Sequence, residues 1–388
     1  MSVWGPLAAR FEQPRPRRML TLDGGGIRGV ITLEILAELE RKLAQALGAG
    51  TDFRLCDVFD YVGGTSTGAI IAAGVARGMT TSELLQIYRD HGEEMFDKAF
   101  LLHRLRNLYR SEPLAALLQE KFGADTDLGP QHLRSLLLVV TQNLTTDSPW
   151  PVSSNPLARY NDTARADCNL RIPLWKLVRA STAAPVYFPP EVLHWDLDDP
   201  DKAFVFVDGG MTPYNNPAFL MYRMATSEAH RLCWPTGERQ LLLVSIGTGA
   251  AANAGPEADA AHRNLFSNVA NIPGNLMYAA TVDQDISCRT VGRCVFGAPI
   301  DRELGDLIPR DADGAPRPLE QDLGRAFLYV RYNAELSRVG LDDLGLNDVD
   351  PEEVQKLDSV RSIGDLSRVG QAAARQVSLD HLGPFLKT

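Results

Sequence analysis

The sequence has few of the features that build exported or metal-binding proteins. Its five cysteines are scattered among 388 residues without paired C-x-x-C spacing, so neither a disulfide framework nor a zinc site is expected. Residues 1–18 contain no apolar signal-peptide core, and no later window approaches about 18 consecutive apolar residues. We therefore expect a cytoplasmic protein that meets membranes only at their surface.

An excess of positive charge is also missing. The formal net charge is -10, and binding to phosphate backbones depends on clustered Lys and Arg, so we expect no nucleic-acid partner. Neither H-E-x-x-H nor an EF-hand loop is present, and we predict no metal and no cofactor. Asp283-Gln284-Asp285 is the nearest approach to a cation site, but two acids in a polar loop are ordinarily solvated.

The chain instead contains a repeated pattern of strand, glycine turn and helix. A strand at 19–22 leads through a glycine-rich turn at 23–29 into an amphipathic helix at 31–47. The same order recurs at 58–62, 63–68 and 69–76. Further apolar runs, typical of buried central strands, lie at 136–140, 205–207 and 241–246. These patterns predict an α/β fold with a mostly parallel sheet.

The C-terminal part has a different composition. Acidic residues are dense at 342–358, and Ile363, Leu366, Val369 and Ala373 follow at helical spacing. We therefore predict an N-terminal extension at 1–18, a catalytic domain at 19–304 and a helical C-terminal appendage at 305–388 that packs on it.

A basic helical segment lies between the second and third strand patterns. Residues 84–122 are expected to be helical and carry Arg104 and Arg106 among leucines and phenylalanines. This segment is either a cap that touches lipid headgroups or a packed helix with a solvated basic face.

Gly64-Thr65-Ser66-Thr67-Gly68 fits the G-x-S-x-G pattern of a nucleophile elbow. Gly64 and Gly68 permit a strand-to-helix turn that is too sharp for side chains. Ser66 would then stand at a helix N-terminus, where the helix dipole and free amides favour a developing alkoxide.

Asp23 to Gly29, with the sequence D-G-G-G-I-R-G, is a candidate oxyanion site. Consecutive glycines before a helix leave backbone N–H groups free to hold an anion, and Arg28 would add charge or anchor the loop. A nucleotide-binding loop is the alternative, but the segment lacks both the P-loop ending and the G-x-G-x-x-G spacing.

Asp208-Gly209-Gly210 directly follows a predicted strand. A carboxylate at a strand end, followed by two glycines, can approach another backbone closely and orient or deprotonate Ser66. An ordinary Ser-Asp-His triad stays open as the alternative, with His230, His262 or His381 as the imidazole.

Together, these motifs resemble the patatin-like phospholipase family. The resemblance covers residues 19–249. Within this range, two further stretches match the family, Arg179 to Pro185 and Ser245 to Gly249. It implies a three-layer α/β/α sandwich. It also implies a serine lipid acyl hydrolase that cleaves phospholipids or lysophospholipids at the membrane surface through an acyl-enzyme.

The resemblance also implies roles for individual residues. Ser66 would be the nucleophile and Asp208 its partner, the oxyanion site would be lined by Gly24, Gly25, Gly26 and Arg28, and the elbow would be supported by Gly64, Gly68, Gly209 and Gly210. For the wall of an acyl channel we select Met95, Phe96, Phe188, Met211 and Tyr214. Some bacterial members of the family are phage-defence phospholipases switched on by a cyclic nucleotide, so a cyclic nucleotide activator is an alternative partner, as is a second copy in a homo-oligomer.

Overall fold

The computed structural model describes residues 2–96, 113–185, 188–194, 196, 198–199, 201–250 and 265–386. Within these ranges, every helix is either too short or too polar to cross a bilayer.

Nine strands form one sheet in the centre of the molecule. Their bounds are β1 Arg17–Leu22, β2 Tyr61–Thr65, β3 Leu136–Asn143, β4 Ser148–Ser153, β5 Glu191–His194, β6 Ala203–Asp208, β7 Leu241–Ile246, β8 Arg293–Phe296 and β9 Leu328–Tyr332. Their order is β5-β6-β3-β2-β1-β7-β9-β8, and β4 also pairs with β3. The six strands β3, β2, β1, β7, β9 and β8 are mutually parallel, whereas β4, β5 and β6 make antiparallel pairs.

Within the described ranges, α-helices lie before, between and after these strands. They are α1 Ala8–Phe11, α2 Gly29–Ala46, α3 Leu55–Val58, α4 Thr67–Arg77, α5 Thr81–Phe96, α6 Pro113–Phe122, α7 Leu174–Ser181, α8 Ala218–Thr226, α9 Leu265–Val291, α10 Arg338–Asp343, α11 Pro351–Gln355 and α12 Ile363–Ala374.

Both faces of the sheet are covered. On β1, Leu20 and Leu22 belong to one apolar cluster, which includes residues of α2, α4, α5 and α12, while Met19 belongs to a second cluster with residues of α1 and α8. Successive residues of a strand point to opposite faces, so burial of every apolar residue requires a helical layer on each side. This arrangement confirms the predicted three-layer α/β/α architecture.

Several element boundaries differ from the sequence predictions. The second strand begins at Tyr61 instead of residue 58, because residues 55–58 form the short helix α3. Strand β7 has the predicted bounds, and strands β4, β5, β8 and β9 were not predicted. They are short or contain prolines and charged residues, so they show no continuous apolar run.

The C-terminal segment is not entirely helical. Strand β9 comes from this segment and lies inside the sheet, between β7 and β8. The helical spacing predicted near residue 363 corresponds to α12, which packs along α2. The boundary at residue 305 stays a prediction about domains, and the sheet itself continues across it.

Candidate active site

Two strand ends meet beside β3. The last residue of β2, Thr65, lies opposite Val140, and the last residue of the antiparallel strand β6, Asp208, lies opposite Thr141. Strand β4 pairs with these same two residues of β3. Because a strand has only two edges, β2 and β6 must share the edge opposite β4, with their carboxyl ends facing each other. Ser66 directly follows Thr65, so the sheet itself brings Ser66 to Asp208.

Ser66 occupies a strained turn between β2 and α4. Its φ of 55° and ψ of -124° are rare for a residue with a side chain, and such conformations persist only where the surroundings enforce them. The flanking glycines allow the surrounding backbone to pack tightly enough to enforce this conformation. A Cβ on Gly64 would overlap the carbonyl of Gly68, and a Cβ on Gly68 would overlap the carbonyl of Leu22. This geometry is that of a nucleophile elbow, with Ser66 at the N-terminus of α4.

The Ser66 hydroxyl donates a hydrogen bond of 2.6 Å to Asp208 Oδ2. Asp208 is only 6% exposed, and its other carboxylate oxygen accepts the Gly210 amide at 2.7 Å. Burial raises the pKa of Asp208 to about 6, against the opposing effects of the Ser66 and Gly210 hydrogen bonds and the charge of Arg179. Asp208 is therefore a stronger base than an exposed aspartate.

Ser181 fixes the backbone of Ser66, a role that was not predicted from the sequence. Its hydroxyl oxygen accepts the Ser66 amide at 2.9 Å and donates to the Val140 carbonyl at 2.6 Å. The last turn of α7 is thereby tied to both β3 and the elbow. Its presence within the stretch 179–185 was the only sequence signal for this contact.

The glycine loop after β1 faces the serine through part of its length. The Gly24 amide donates to the Asn215 carbonyl at 3.0 Å, whereas, among the described residues, the amides of Gly25 and Gly26 have no hydrogen-bond partner. A Cβ on Gly25 would overlap Thr248, and one on Gly26 would overlap the Leu357 carbonyl. The loop therefore carries two free donors beside Ser66, and its surroundings accept no side chain there.

A cavity of about 230 Å³ opens over Ser66 and Asp208. Gly25 and Gly26 border it, and so do four of the five predicted acyl-channel residues, namely Met95, Phe96, Phe188 and Met211. Tyr214 does not line it, since its ring lies beside the Arg223 guanidinium and packs against the other apolar cluster. Further apolar residues, not predicted from the sequence, also line it: Ile70, Leu114, Ala184, Pro185, Met277 and Leu357.

A second cavity of about 180 Å³ lies on the other side of the glycine loop. Gly24 and Arg28, both predicted to line the oxyanion site, border this second cavity rather than the one over Ser66. Arg28 Nε is buried and has no hydrogen-bond partner within the described chain. Burial lowers the pKa of Arg28 to about 10, although the charge of Asp23 opposes this. The second cavity is thus bordered by a half-buried guanidinium whose Nε lacks a hydrogen-bond partner in the described part of the protein, with the Asp23 carboxylate nearby.

The alternative catalytic groups that the structure describes lie away from Ser66. No histidine among the described residues lines the cavity over Ser66. His381 stacks on Phe296 and bonds to the Tyr332 hydroxyl, and His262 lies outside the described residues, as do Arg104 and Arg106 of the predicted cap. Asp285 pairs with Arg289 and accepts the Tyr329 hydroxyl, so its oxygens are engaged by protein groups.

The sequence is similar to a known protein family and to several named proteins. A family model described as patatin-like phospholipase matches residues 20–222. Two proteins named cGAMP-activated phospholipase are each 33% identical, one from Vibrio cholerae over 52% of this chain and 56% of its own length, the other from Escherichia coli over 61% and 63%. Patatin-T5 of Solanum tuberosum is 28% identical over 60% of this chain and 61% of its own length. The chain therefore spans less than two thirds of the length of each of these relatives.

Proposed function

We propose that this chain, which belongs to the patatin-like phospholipase family, is a serine acyl hydrolase that cleaves acyl esters of phospholipids or lysophospholipids through Ser66 and Asp208. The observation that carries the proposal is the 2.6 Å hydrogen bond from the strained Ser66 to the buried Asp208 carboxylate. A serine hydroxyl is a weak nucleophile unless a base of raised pKa accepts its proton.

In the first half of the reaction, Ser66 Oγ attacks the ester carbonyl carbon while its proton passes to Asp208. The negative charge that develops on the carbonyl oxygen is stabilised by the free amides of Gly25 and Gly26 and by the N-terminus of α4. The tetrahedral intermediate then expels the alcohol part of the lipid. The leaving alkoxide takes the Ser66 proton from Asp208, and the acyl group stays on Ser66.

In the second half, a water molecule attacks the acyl-enzyme. Asp208, now a carboxylate again, accepts a proton from this water, and the same amides hold the second oxyanion. Collapse of that intermediate releases the fatty acid and returns the proton to Ser66 Oγ. The apolar walls of the cavity, including Met95, Phe96 and Phe188, receive the acyl chain.

The second cavity supports a phospholipid over a simple ester as the substrate. It adjoins the cavity over Ser66, since Asn215, Gly274, Met277 and Leu357 border both. The Arg28 guanidinium, whose buried Nε has no hydrogen-bond partner among the described residues, favours an anion, and we assign Arg28 to the phosphate of the lipid headgroup.

Replacement of Arg28 by Gln separates this role from the oxyanion role predicted from the sequence. If Arg28 binds the headgroup, kcat/KM for a lysophospholipid falls roughly 10- to 100-fold in the variant. The value of kcat/KM for a neutral p-nitrophenyl ester is then unchanged, because this substrate carries no phosphate. An equal fall for both substrates would return Arg28 to the oxyanion site.

The proposed activity is tested by covalent labelling and product analysis. A fluorophosphonate probe is expected to label the wild-type protein and neither Ser66→Ala nor a denatured sample, since labelling requires an activated serine. Mass spectrometry of the products from a phospholipid with two different acyl chains then identifies the cleaved ester. Labelling that persists in Ser66→Ala, or intact phospholipid after incubation with labelled protein, would contradict the proposal.

A second candidate is that the hydrolase is gated by a cyclic nucleotide. Two relatives at 33% identity are cGAMP-activated phospholipases by name, and this observation favours the same control here. Lipase assays with and without cGAMP, set beside thermal shifts with the same nucleotide, distinguish the two modes. Full activity without nucleotide and no shift in Tm would leave a constitutive enzyme.

A further inference from the structure

A buried ion pair ties the C-terminal segment to the glycine loop. Arg331 lies on β9, opposite Ser245 of β7, and therefore two strands away from β1. Its guanidinium contacts both carboxylate oxygens of Asp23, at 2.9 Å from Nη1 to Oδ1 and 2.5 Å from Nη2 to Oδ2. Both side chains are about 4% exposed, so neither water nor salt screens the pair.

Arg331 is itself held firmly. Nη1 also donates to the Ser245 hydroxyl at 2.7 Å. A guanidinium that forms two parallel hydrogen bonds to a carboxylate fixes both the distance and the orientation of that carboxylate. Burial raises the pKa of Asp23, and the facing guanidinium of Arg331 works against that rise. The position of the Asp23 side chain is therefore set from β9.

Asp23 is the residue from which the glycine loop starts. Its amide donates a hydrogen bond to the Ile246 carbonyl at 3.1 Å. At the next residue, the Gly24 amide donates to the Asn215 carbonyl, and the Gly24 carbonyl accepts the Thr248 hydroxyl. The free amides of Gly25 and Gly26 follow immediately. A small rotation at Asp23 would therefore displace both donors relative to Ser66.

We propose that Arg331 is a positioning residue for the oxyanion loop, which holds Asp23 so that the amides of Gly25 and Gly26 point at the carbonyl oxygen of the bound ester. This inference rests on the proposed acyl hydrolase function. It assigns a role to a residue outside the segment 20–222 that the family model matches. Oxyanion donors act only when they are fixed where the charge develops, so a positioning contact affects the transition state more than substrate binding.

The competing explanation is that the pair only stabilises the sheet. A matched control is available, because Arg293 on β8 forms an equally buried ion pair with Glu238 at 2.8 Å and does not touch the glycine loop. Replacement of either arginine by Met leaves a buried carboxylate without its partner and destabilises the fold. Only the loss of Arg331 changes the loop that faces Ser66.

The test compares kcat of Arg331→Met, Arg331→Lys and Arg293→Met with that of the wild type, each measured below its own Tm. The concentration of active enzyme in each sample is taken from the amount of serine that fluorophosphonate labels at saturation. For Arg331→Met we expect kcat for a neutral p-nitrophenyl ester to fall roughly 10- to 100-fold with KM nearly unchanged. Arg331→Lys is expected to be intermediate, since Lys cannot form the bidentate contact. Arg293→Met should keep wild-type kcat.

Two further readouts separate positioning from stability. A trifluoromethyl ketone inhibitor forms a tetrahedral oxyanion on serine, so its Ki should rise in Arg331→Met by the same factor by which kcat/KM falls. The double variant Asp23→Asn with Arg331→Met also removes the carboxylate that lost its guanidinium, so Tm should rise above that of Arg331→Met while kcat stays low.

Hydrogen exchange tests the loop without any turnover. The peptide that spans the glycine loop should exchange faster in Arg331→Met than in the wild type or in Arg293→Met, because the loop amides of Asp23, Gly24 and Ile27 are hydrogen-bonded and would lose protection. Wild-type kcat in Arg331→Met, an equal loss in Arg293→Met, or unchanged exchange in this peptide would overturn the inference. Failure of the proposed function has a different outcome, in which the wild type itself neither labels at Ser66 nor hydrolyses esters.

Discussion

Asp208 meets two requirements that ordinarily conflict in an aspartate. In the proposed mechanism it must carry a negative charge to accept a proton from Ser66, and it must hold that charge weakly enough to be a useful base. Burial beneath the ends of β2 and β6 supplies the second property, and the hydrogen bonds from Ser66 and Gly210 limit the effect. The result is a carboxyl group whose pKa is about 6, below neutrality but well above that of an exposed aspartate.

The pH dependence of turnover follows from this value. Protonated Asp208 cannot accept the Ser66 proton, so kcat/KM for a neutral ester should fall tenfold for each pH unit below an apparent pKa of about 6. Steady-state rates between pH 4.5 and 8.5 measure this limb, with circular dichroism to verify folding. A limb centred near 4, the ordinary value of an aspartate, would contradict the raised pKa of Asp208.

Replacement of Asp208 by Asn should abolish turnover and increase stability at neutral pH. The folded-state pKa exceeds the ordinary value of 3.8, so the ionised form of Asp208 lowers the free energy of unfolding above pH 6. This destabilisation disappears as the pH falls toward 4, because Asp208 is then protonated in both the folded and the unfolded state. We expect roughly 1 to 3 kcal/mol of added stability at pH 7.5 and less at pH 5.

Urea denaturation at the two pH values measures this difference. Ser66→Ala is the control, since it also removes turnover but leaves the buried charge in place. A variant Asp208→Asn that is no more stable than the wild type at pH 7.5 would contradict the assigned cost of burial.

At the scale of elements, the elbow depends on how closely β2, α4 and the end of β1 approach one another. Every residue of α4 from Thr67 to Ala76 is buried, and most are small, which lets the helix lie directly over the sheet. The close approach explains why glycine stands at both ends of the turn. It also fixes Ser66 in the conformation that presents its hydroxyl to Asp208.

Gly64→Ala is therefore expected to destabilise the protein by about 3 kcal/mol or more, because its Cβ would overlap the Gly68 carbonyl. Gly364→Ala is a suitable control: Gly364 lies on α12 with open space around it, and Ala should be neutral or stabilising there by up to about 1 kcal/mol. Thermal unfolding of the two variants tests the difference. Equal Tm values would mean that the backbone at the elbow relaxes freely.

At the scale of the whole molecule, the sheet is completed by residues far from the catalytic motifs in sequence. Strand β9 fills the position between β7 and β8, and its residues Leu328, Val330 and Tyr332 are part of the main apolar cluster. Leu357 borders both cavities, and its carbonyl accepts the Ile27 amide at 3.0 Å. The C-terminal segment thus takes part in both the core and the site.

A truncated chain that ends at residue 304 should consequently fail to fold. It lacks β9, so β7 and β8 would expose unpaired edges and apolar side chains. We expect aggregation on expression, measured as the soluble fraction. A chain in which only the exposed turn 311–315 is shortened serves as the control and should stay soluble. A soluble, monodisperse fragment 1–304 would support an independent appendage instead.

Local sequence determined much of this protein. The strand, turn and helix around Ser66, the glycine loop at 23–29 and the layered α/β class all follow from short-range patterns, because glycine turns and strand periodicity depend on neighbouring residues. The same short-range signals indicated Asp208 at a strand end. They gave wrong bounds for β2 and missed β9, in which a charged Arg331 interrupts the apolar run.

Only the tertiary structure decided which of these residues meet. The antiparallel entry of β6 beside β3 brings Asp208 to Ser66 across 142 residues, and β9 brings Arg331 to Asp23 across 308. The orientation of Arg28 toward a second cavity likewise depends on packing. Contacts between distant segments depend on strand order and on the burial of paired charges, and neither of these is encoded in the spacing of residues along the chain.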